Sequence, residues 1–204
     1  MKNLFSILFL LMLSLFTPSV SGAASPITSN QNRSAVTLVW VNPSAVSDIT
    51  KAEDILSQGM EKALSSYHFT FKDHADAQQM MQEYMIENNL VPDDNKTSVG
   101  FLPKKEDLKN LAESANVKYI AFVNARITDE KVKTAWMSWT GSKFEVTTLF
   151  TTIIYSVDQD KYIFFKQQSV KENAAGSSST ERAFVKSCET FVNKDLSFSS
   201  LKLD

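Results

Sequence analysis

The chain has 204 residues, a formal net charge of −2 and a single cysteine. So small a charge gives no electrostatic case for nucleic-acid binding, which favours a basic face, and one cysteine excludes an intrachain disulfide. At this length, with 43% hydrophobic residues, the chain suffices for one domain built around its own hydrophobic core.

The amino terminus has the order of a secretory signal peptide. Lys2 precedes an apolar run over residues 4–16, and small residues follow Pro18 up to Ala24. The run is shorter than the roughly 20 apolar residues of a transmembrane helix. We therefore expect residues 1–23 to be a cleaved signal peptide and the protein to be exported, either periplasmic or secreted. An uncleaved anchor is the alternative interpretation.

The first half of the remaining chain alternates strand and helix patterns. Residues 24–34 are polar and predict a flexible leader, and residues 35–41 (AVTLVWV) predict a buried strand. Thr50 and Glu53 match a capping box at the start of an amphipathic helix. A short strand over residues 67–72, a helix capped by Asp73 and a helix after Pro103 follow.

The second half is rich in strand patterns. Residues 118–139 are too long for one regular strand of this domain, so we expect a bulge or break near residues 128–130. Strands over 144–157 and 162–170 follow, with a loop over 174–179 and a final helix. Residues 35–204 therefore predict a single α+β domain, a mixed β-sheet with packed helices in the order β-α-β-α-α-β-β-β-α.

Three segments carry a resemblance to a known group of proteins. They are the strand 35–41, the first amphipathic helix and the segment 111–123 (LAESANVKYIAFV). In these segments the chain resembles the α/β envelope domain shared by the CsgG family, the LpoB lipoproteins and the amino-terminal domain of TolB. The resemblance implies a non-catalytic protein that works through protein contacts in the bacterial envelope, and it supplies no catalytic residues.

The residues themselves give no motif for catalysis or for a cofactor. The turn after the first strand has no glycine to cradle a phosphate, and no G-x-S-x-G motif is present. His68, Asp73, His74 and Asp76 form the one cluster suited to a metal, but zinc prefers four ligands at set spacing, mostly His or Cys. We interpret the two acids as first-turn residues of a helix, and we expect neither a metal nor a cofactor.

The candidate binding residues are Trp136, Trp139 and Lys143, which flank a predicted hairpin turn at residues 140–142. The two tryptophans differ in parity along a strand, so one is expected to face the core and Trp136 to face outward. An exposed tryptophan beside lysines suits a protein, glycan or lipid partner. The alternative is that both tryptophans merely cover the sheet.

We expect an exported, non-enzymatic accessory protein of a bacterial envelope that contacts an envelope protein or a second copy of itself. Two other functions stay open. One is a hydrolase-like enzyme whose site is assembled only in three dimensions. The other is a small-ligand or glycan binding module that uses the hairpin of Trp136 and Trp139.

Overall fold

Five strands form one mixed sheet in the order β2-β1-β3-β4-β5. The strands are β1 (Arg33–Val41), β2 (Phe69–Phe71), β3 (Tyr119–Lys133), β4 (Lys143–Ser156) and β5 (Lys161–Ala175). The structure is a computed structural model that describes residues 33–42, 49–91, 101–133, 143–175 and 179–203. All of these residues belong to one compact unit, Asn32–Asp204.

The helices lie between the parallel strands β1, β2 and β3 and after the last strand, β5. They are α1 (Ile49–Leu64), α2 (His74–Glu87), α3 (Lys105–Ser114) and α4 (Ser179–Thr190). The α+β class and the predicted order of elements are confirmed. In the part of the chain that the structure describes, no helix is long and apolar enough to cross a membrane.

The central strand β1 is paired unevenly on its two sides. It runs parallel to β3 along Ala35–Val41, but it pairs with β2 only through Arg33–Ala35. Every residue of the run Ala35–Val41 is buried, as a parallel strand covered on both faces requires. Beyond Ala35, no described strand adjoins β1 on the side of β2.

Side-chain alternation along β1 divides the core into two layers. Val39 and Val41 pack with Leu56 and Met60 of α1 and with Phe184 of α4. Leu38 and Trp40 point to the opposite face, where they pack with residues of α2 and α3. Helices α1 and α4 therefore cover one face of the sheet, and α2 and α3 cover the other.

Two strands differ in extent from the sequence prediction. The strand that begins at Tyr119 continues to Lys133, with a register shift between Ile127 and Asp129 at the predicted place. An extra residue is accommodated as a bulge, so the strand bends without breaking. Strand β5 runs on to Ala175 because it pairs with the whole length of β4.

Two local predictions were wrong. Thr50 lies within α1, which begins at Ile49, and so does not cap the helix from outside. Strand β2 is only three residues long because Ser65–Tyr67 form a 3-10 turn before it. By contrast, Asp73 caps α2 as predicted, since its Oδ1 accepts hydrogen bonds from the backbone N–H groups of Ala75 and Asp76.

Candidate functional site

The predicted binding hairpin lies only partly within the described residues. Trp136 and Trp139 fall in residues 134–142, outside them. Lys143 is the first residue of β4 and is exposed. It lies opposite Lys133 of β3 and Ala175 of β5. The last residue of β3, the first residue of β4 and the last residue of β5 therefore lie side by side at one end of the sheet.

Strand β5 forms one edge of the sheet. Its 15 residues compare with about 5–6 for an average strand, and only β4 pairs with it among the described residues. A long edge presents a row of backbone N–H and C=O groups to which another extended chain can add. Lys161, Lys166 and Lys171 lie along this strand, and lysines are typical residues that limit unspecific edge pairing.

Two aromatic side chains stand exposed on β5. Tyr162 is 40% exposed and Phe165 is 55% exposed. Tyr162 lies opposite Tyr155 of β4, and Phe165 lies opposite Ile153. Because Ile153 and Tyr155 are two residues apart, both partners face the same side of the sheet. We call Tyr162, Phe165 and the outer backbone of this strand the β5 edge.

The turn before the β5 edge is held by polar contacts. The Tyr155 hydroxyl donates to Oδ1 of Asp160 at 2.7 Å, and the Lys105 ammonium donates to Oδ2 at 2.8 Å. These hydrogen bonds, that of Lys105 first, lower the pKa of Asp160, while burial raises the pKa of Tyr155. The ring of Tyr162 stands edge-on to that of Tyr155 at 6.2 Å. The start of β5 is therefore fixed against α3.

Toward the opposite edge of the sheet, two side chains of α2 cover the edge of β1. The Gln78 amide accepts from the Val39 N–H at 3.1 Å and donates to the Val39 carbonyl oxygen at 2.6 Å. One turn earlier, Nδ1 of His74 lies 3.1 Å from the carbonyl oxygen of Thr37. Residues i and i+4 share a helix face. One face of α2 therefore binds backbone groups of β1 at positions where β2 has ended.

The two histidines do not converge. His68 ends the 3-10 turn with a left-handed backbone (φ 60°), and its N–H donates to the Ser65 carbonyl. His74 is the first residue of α2 and is bound to β1. Among the described residues, no group of three or more His, Cys, Asp or Glu side chains is arranged to hold a metal ion.

Two glutamates of α1 lie near the covered edge of β1. Nε2 of Gln78 donates to Oε1 of Glu53 at 2.9 Å. Burial raises the pKa of Glu53 above its ordinary value, although His74 and Gln78 oppose the change. Burial likewise raises the pKa of Glu61, two turns further along α1. Both carboxyl groups therefore hold their protons more tightly than carboxyl groups in water.

A groove of about 450 Å³ opens beside Glu53 and Gln78, at the carboxyl end of β1. Its walls come from the end of β1, the first turns of α1 and the middle of α2, and are mostly apolar. They include Trp40, Val41, Ile49, Met81, Met85 and Ile86. The groove could not be predicted from the amino-acid sequence, because its walls belong to three elements that meet only in the fold.

Cys188 lies in the core. Its side chain is fully buried with Phe184 and Phe191 in the layer between α4 and the sheet. Burial raises the pKa of the thiol to about 12. A reactive thiol needs an exposed, electropositive site that favours the thiolate, so the side chain of Cys188 has a packing role.

Comparison with known proteins gives no family. No protein-family model matches the chain, and no curated protein matches it significantly. A hypothetical protein from Chlamydia trachomatis is similar at 13% identity and a TM-score of 0.36, over 79% of this chain and 98% of that chain. The PelC dodecamer from Paraburkholderia phytofirmans is similar at 8% identity and a TM-score of 0.36, over 84% and 90%.

The LpoB carboxy-terminal domain from Salmonella enterica is also similar, at 12% identity and a TM-score of 0.33, over 68% of this chain and 83% of that chain. The resemblance to LpoB seen in the sequence is thus repeated in a weak form. A likeness to CsgG or TolB is not shown. Similarity at this level supports no conclusion about the function of this chain.

Proposed function

We propose that this protein is an exported, non-enzymatic accessory protein of a bacterial cell envelope that acts by protein–protein contact. Its partner is an extended segment of an envelope protein or of a second copy of this chain. The observation that carries the proposal is the β5 edge, where a long strand that no described strand adjoins on its outer side presents Tyr162 and Phe165 to solvent.

The chemistry of the β5 edge suits strand addition. Backbone hydrogen bonds to an edge strand provide affinity for any extended chain, and side-chain contacts select among such chains. Tyrosine and other aromatic residues are frequent anchors of protein interfaces. Tyr162 and Phe165 lie on one face of the sheet, so a single added strand meets both.

We propose that the predicted hairpin of Trp136 and Trp139 extends this surface. Lys143, which directly follows the predicted turn in the sequence, lies opposite Ala175, the last residue of β5. We propose that Trp136 contributes a second anchor there. Replacing it, as Trp136→Ala, is expected to weaken partner binding by about 2 kcal/mol, the scale of an interface hot spot.

A contact role also agrees with how the reactive side chains are placed. The Cys188 thiol is buried and its pKa is raised. His74 is bound to a backbone carbonyl group of β1, and His68 ends a turn. A catalytic nucleophile lies within hydrogen-bond distance of its base. The side chains of Cys188, His74 and His68 are not arranged in this way. The envelope location rests on the signal-peptide pattern and on the family resemblance of the sequence.

Affinity capture from the envelope fraction of the source cells tests the proposal. The purified protein is compared with Phe165→Thr, which removes the ring and introduces a β-branched residue that favours strands, and with Ile86→Gln. Ile86 is a matched control because it is 67% exposed on α2, away from β5. We expect Phe165→Thr to lose the captured partner and Ile86→Gln to retain it. Equal capture by both variants would reject the β5 edge as the contact.

A further inference from the structure

We propose that the groove at the carboxyl end of β1 binds a small apolar molecule that carries an amine. This site is separate from the β5 edge, since it lies against β1, at the other side of the sheet. It therefore does not depend on the protein contact proposed above.

The size and walls of the groove suit a small ligand. Its volume of about 450 Å³ falls within the roughly 300–1,000 Å³ of small-molecule sites. The base is made of the buried side chains of Trp40, Met81 and Met85, and Ile86 stands exposed among the lining residues. Methionine side chains adapt to ligands of irregular shape. Apolar ligand groups therefore find a preformed surface.

One polar pair stands among these apolar walls. Glu53 and Gln78 both line the groove, and the hydrogen bond from Gln78 fixes Oε1 of the Glu53 carboxylate. Gln78 is held in turn by both backbone groups of Val39. A few fixed polar groups in an apolar pocket are what orients a small ligand.

The charge around the groove selects a cation. Glu53 is the only ionisable residue among the described residues that line it. Helix α2, which forms one wall, carries Asp76, Glu83 and Glu87 and no lysine or arginine. An ammonium group gains a charge-assisted hydrogen bond from a carboxylate, and the indole of Trp40 attracts cations through its ring face. A carboxylate or phosphate ligand would meet like charge at Glu53, and His74 of α2, which acts on that carboxyl group, is not among the lining residues.

The raised pKa of Glu53 fits this assignment. A carboxyl group that burial destabilises as an anion regains stability when a cation arrives beside it. In the pH range where Glu53 titrates, binding of an amine is therefore expected to release a proton; His74 of α2 and Asp54 of α1 are the charged neighbours that also act on this carboxyl group. It is expected to weaken as the pH falls and Glu53 becomes protonated.

Three probes with the same chain length test the proposal by calorimetric titration: octylammonium, octanol and octanoate. We expect octylammonium to bind at least about tenfold more tightly than octanol, a difference of about 1.4 kcal/mol, and octanoate to bind weakest. Equal affinities for the three probes, or no binding of octylammonium, would overturn the proposal.

Two matched variants locate the site. Glu53→Gln keeps the shape of the side chain and is expected to reduce octylammonium affinity to that of octanol. Glu61 lies on the same helix outside the groove, and burial raises its pKa as well. The control variant Glu61→Gln is expected to leave all three affinities unchanged. A loss of selectivity in Glu61→Gln equal to that in Glu53→Gln would also contradict the proposal. Thermal unfolding of each variant establishes that it is folded.

Discussion

The side-chain amide of Gln78 binds both the N–H and the C=O of Val39, at 3.1 and 2.6 Å. A neighbouring strand would normally satisfy these two groups, but β2 ends after pairing with Ala35. Buried backbone groups without partners cost as much as lost hydrogen bonds. One glutamine of α2 thus takes the place of a neighbouring strand at Val39.

Replacement of Gln78 by leucine is expected to destabilise the fold. The side chain is buried, so Gln78→Leu leaves two buried backbone groups of Val39 without partners, at a cost of about 2 to 3 kcal/mol in the free energy of unfolding. Gln79→Leu is the control, since Gln79 is exposed on the same helix, and it is expected to change stability by less than about 0.5 kcal/mol. Urea denaturation of both variants measures the difference. Equal effects would show that the Val39 contacts contribute little.

Gly59 of α1 is expected to behave unlike most helical glycines. Alanine in place of glycine usually stabilises a helix by roughly 1 kcal/mol. Here a Cβ at position 59 would lie 2.5 Å from both methyl groups of Val192, and the branched valine side chain is stiff. Gly59→Ala is therefore expected to lower the melting temperature. The double variant Gly59→Ala/Val192→Ala is expected to recover much of that loss, and a failure to recover would contradict the steric explanation.

Two measurable predictions follow from the burial of the Cys188 thiol. It is expected to react slowly with a thiol reagent in the native protein and rapidly after denaturation. Its pKa of about 12 in the fold lies above the ordinary value of 9.0, so the unfolded state loses this proton more readily. Stability is therefore expected to fall as the pH rises from about 9 toward 12. Cys188→Ala removes the thiol's part of this pH dependence, and an unchanged slope in that variant would contradict it.

The signal-peptide pattern predicts a processed amino terminus. We expect sequencing of the protein from the envelope or the medium to begin within one or two residues of Ala24. Intact Met1 in a membrane fraction would show that the segment acts as an anchor.

The sequence predicts most of the secondary structure because the strongest signals are local. The apolar run of β1 and the stripes of α1 and α2 each identify their element, and the excess length near residue 128 predicts the bulge. The shortness of β2 was not predicted, since the 3-10 turn at Ser65–Tyr67 precedes it and Gln78 of α2 binds the edge of β1 beyond its end. That role has no local signature, because a polar residue on an amphipathic helix is typical of an exposed face.

Of the candidate contact residues, likewise, some were singled out from the sequence and others were not. Lys143 was predicted to flank the hairpin turn as a binding residue, and in the structure it is exposed at the first position of β4. Phe165 was not singled out, although its position beside Phe164 carries a signal: neighbouring residues of a strand point to opposite faces. Phe164 is buried and Phe165 is exposed. Only the sheet order shows that β5 is an edge strand, where such an exposed ring can meet a partner.

Site-specific photo-crosslinking in the source cells tests the central claim most directly. A photoreactive amino acid is placed at Phe165 on the β5 edge and, in a separate variant, at Glu83, an exposed residue of α2. We expect a discrete crosslinked adduct from position 165, either with an envelope protein or with a second copy of this chain, and none from position 83. Adducts of equal yield from both positions, or none from position 165, would contradict the claim that this protein works through protein contact at the β5 edge.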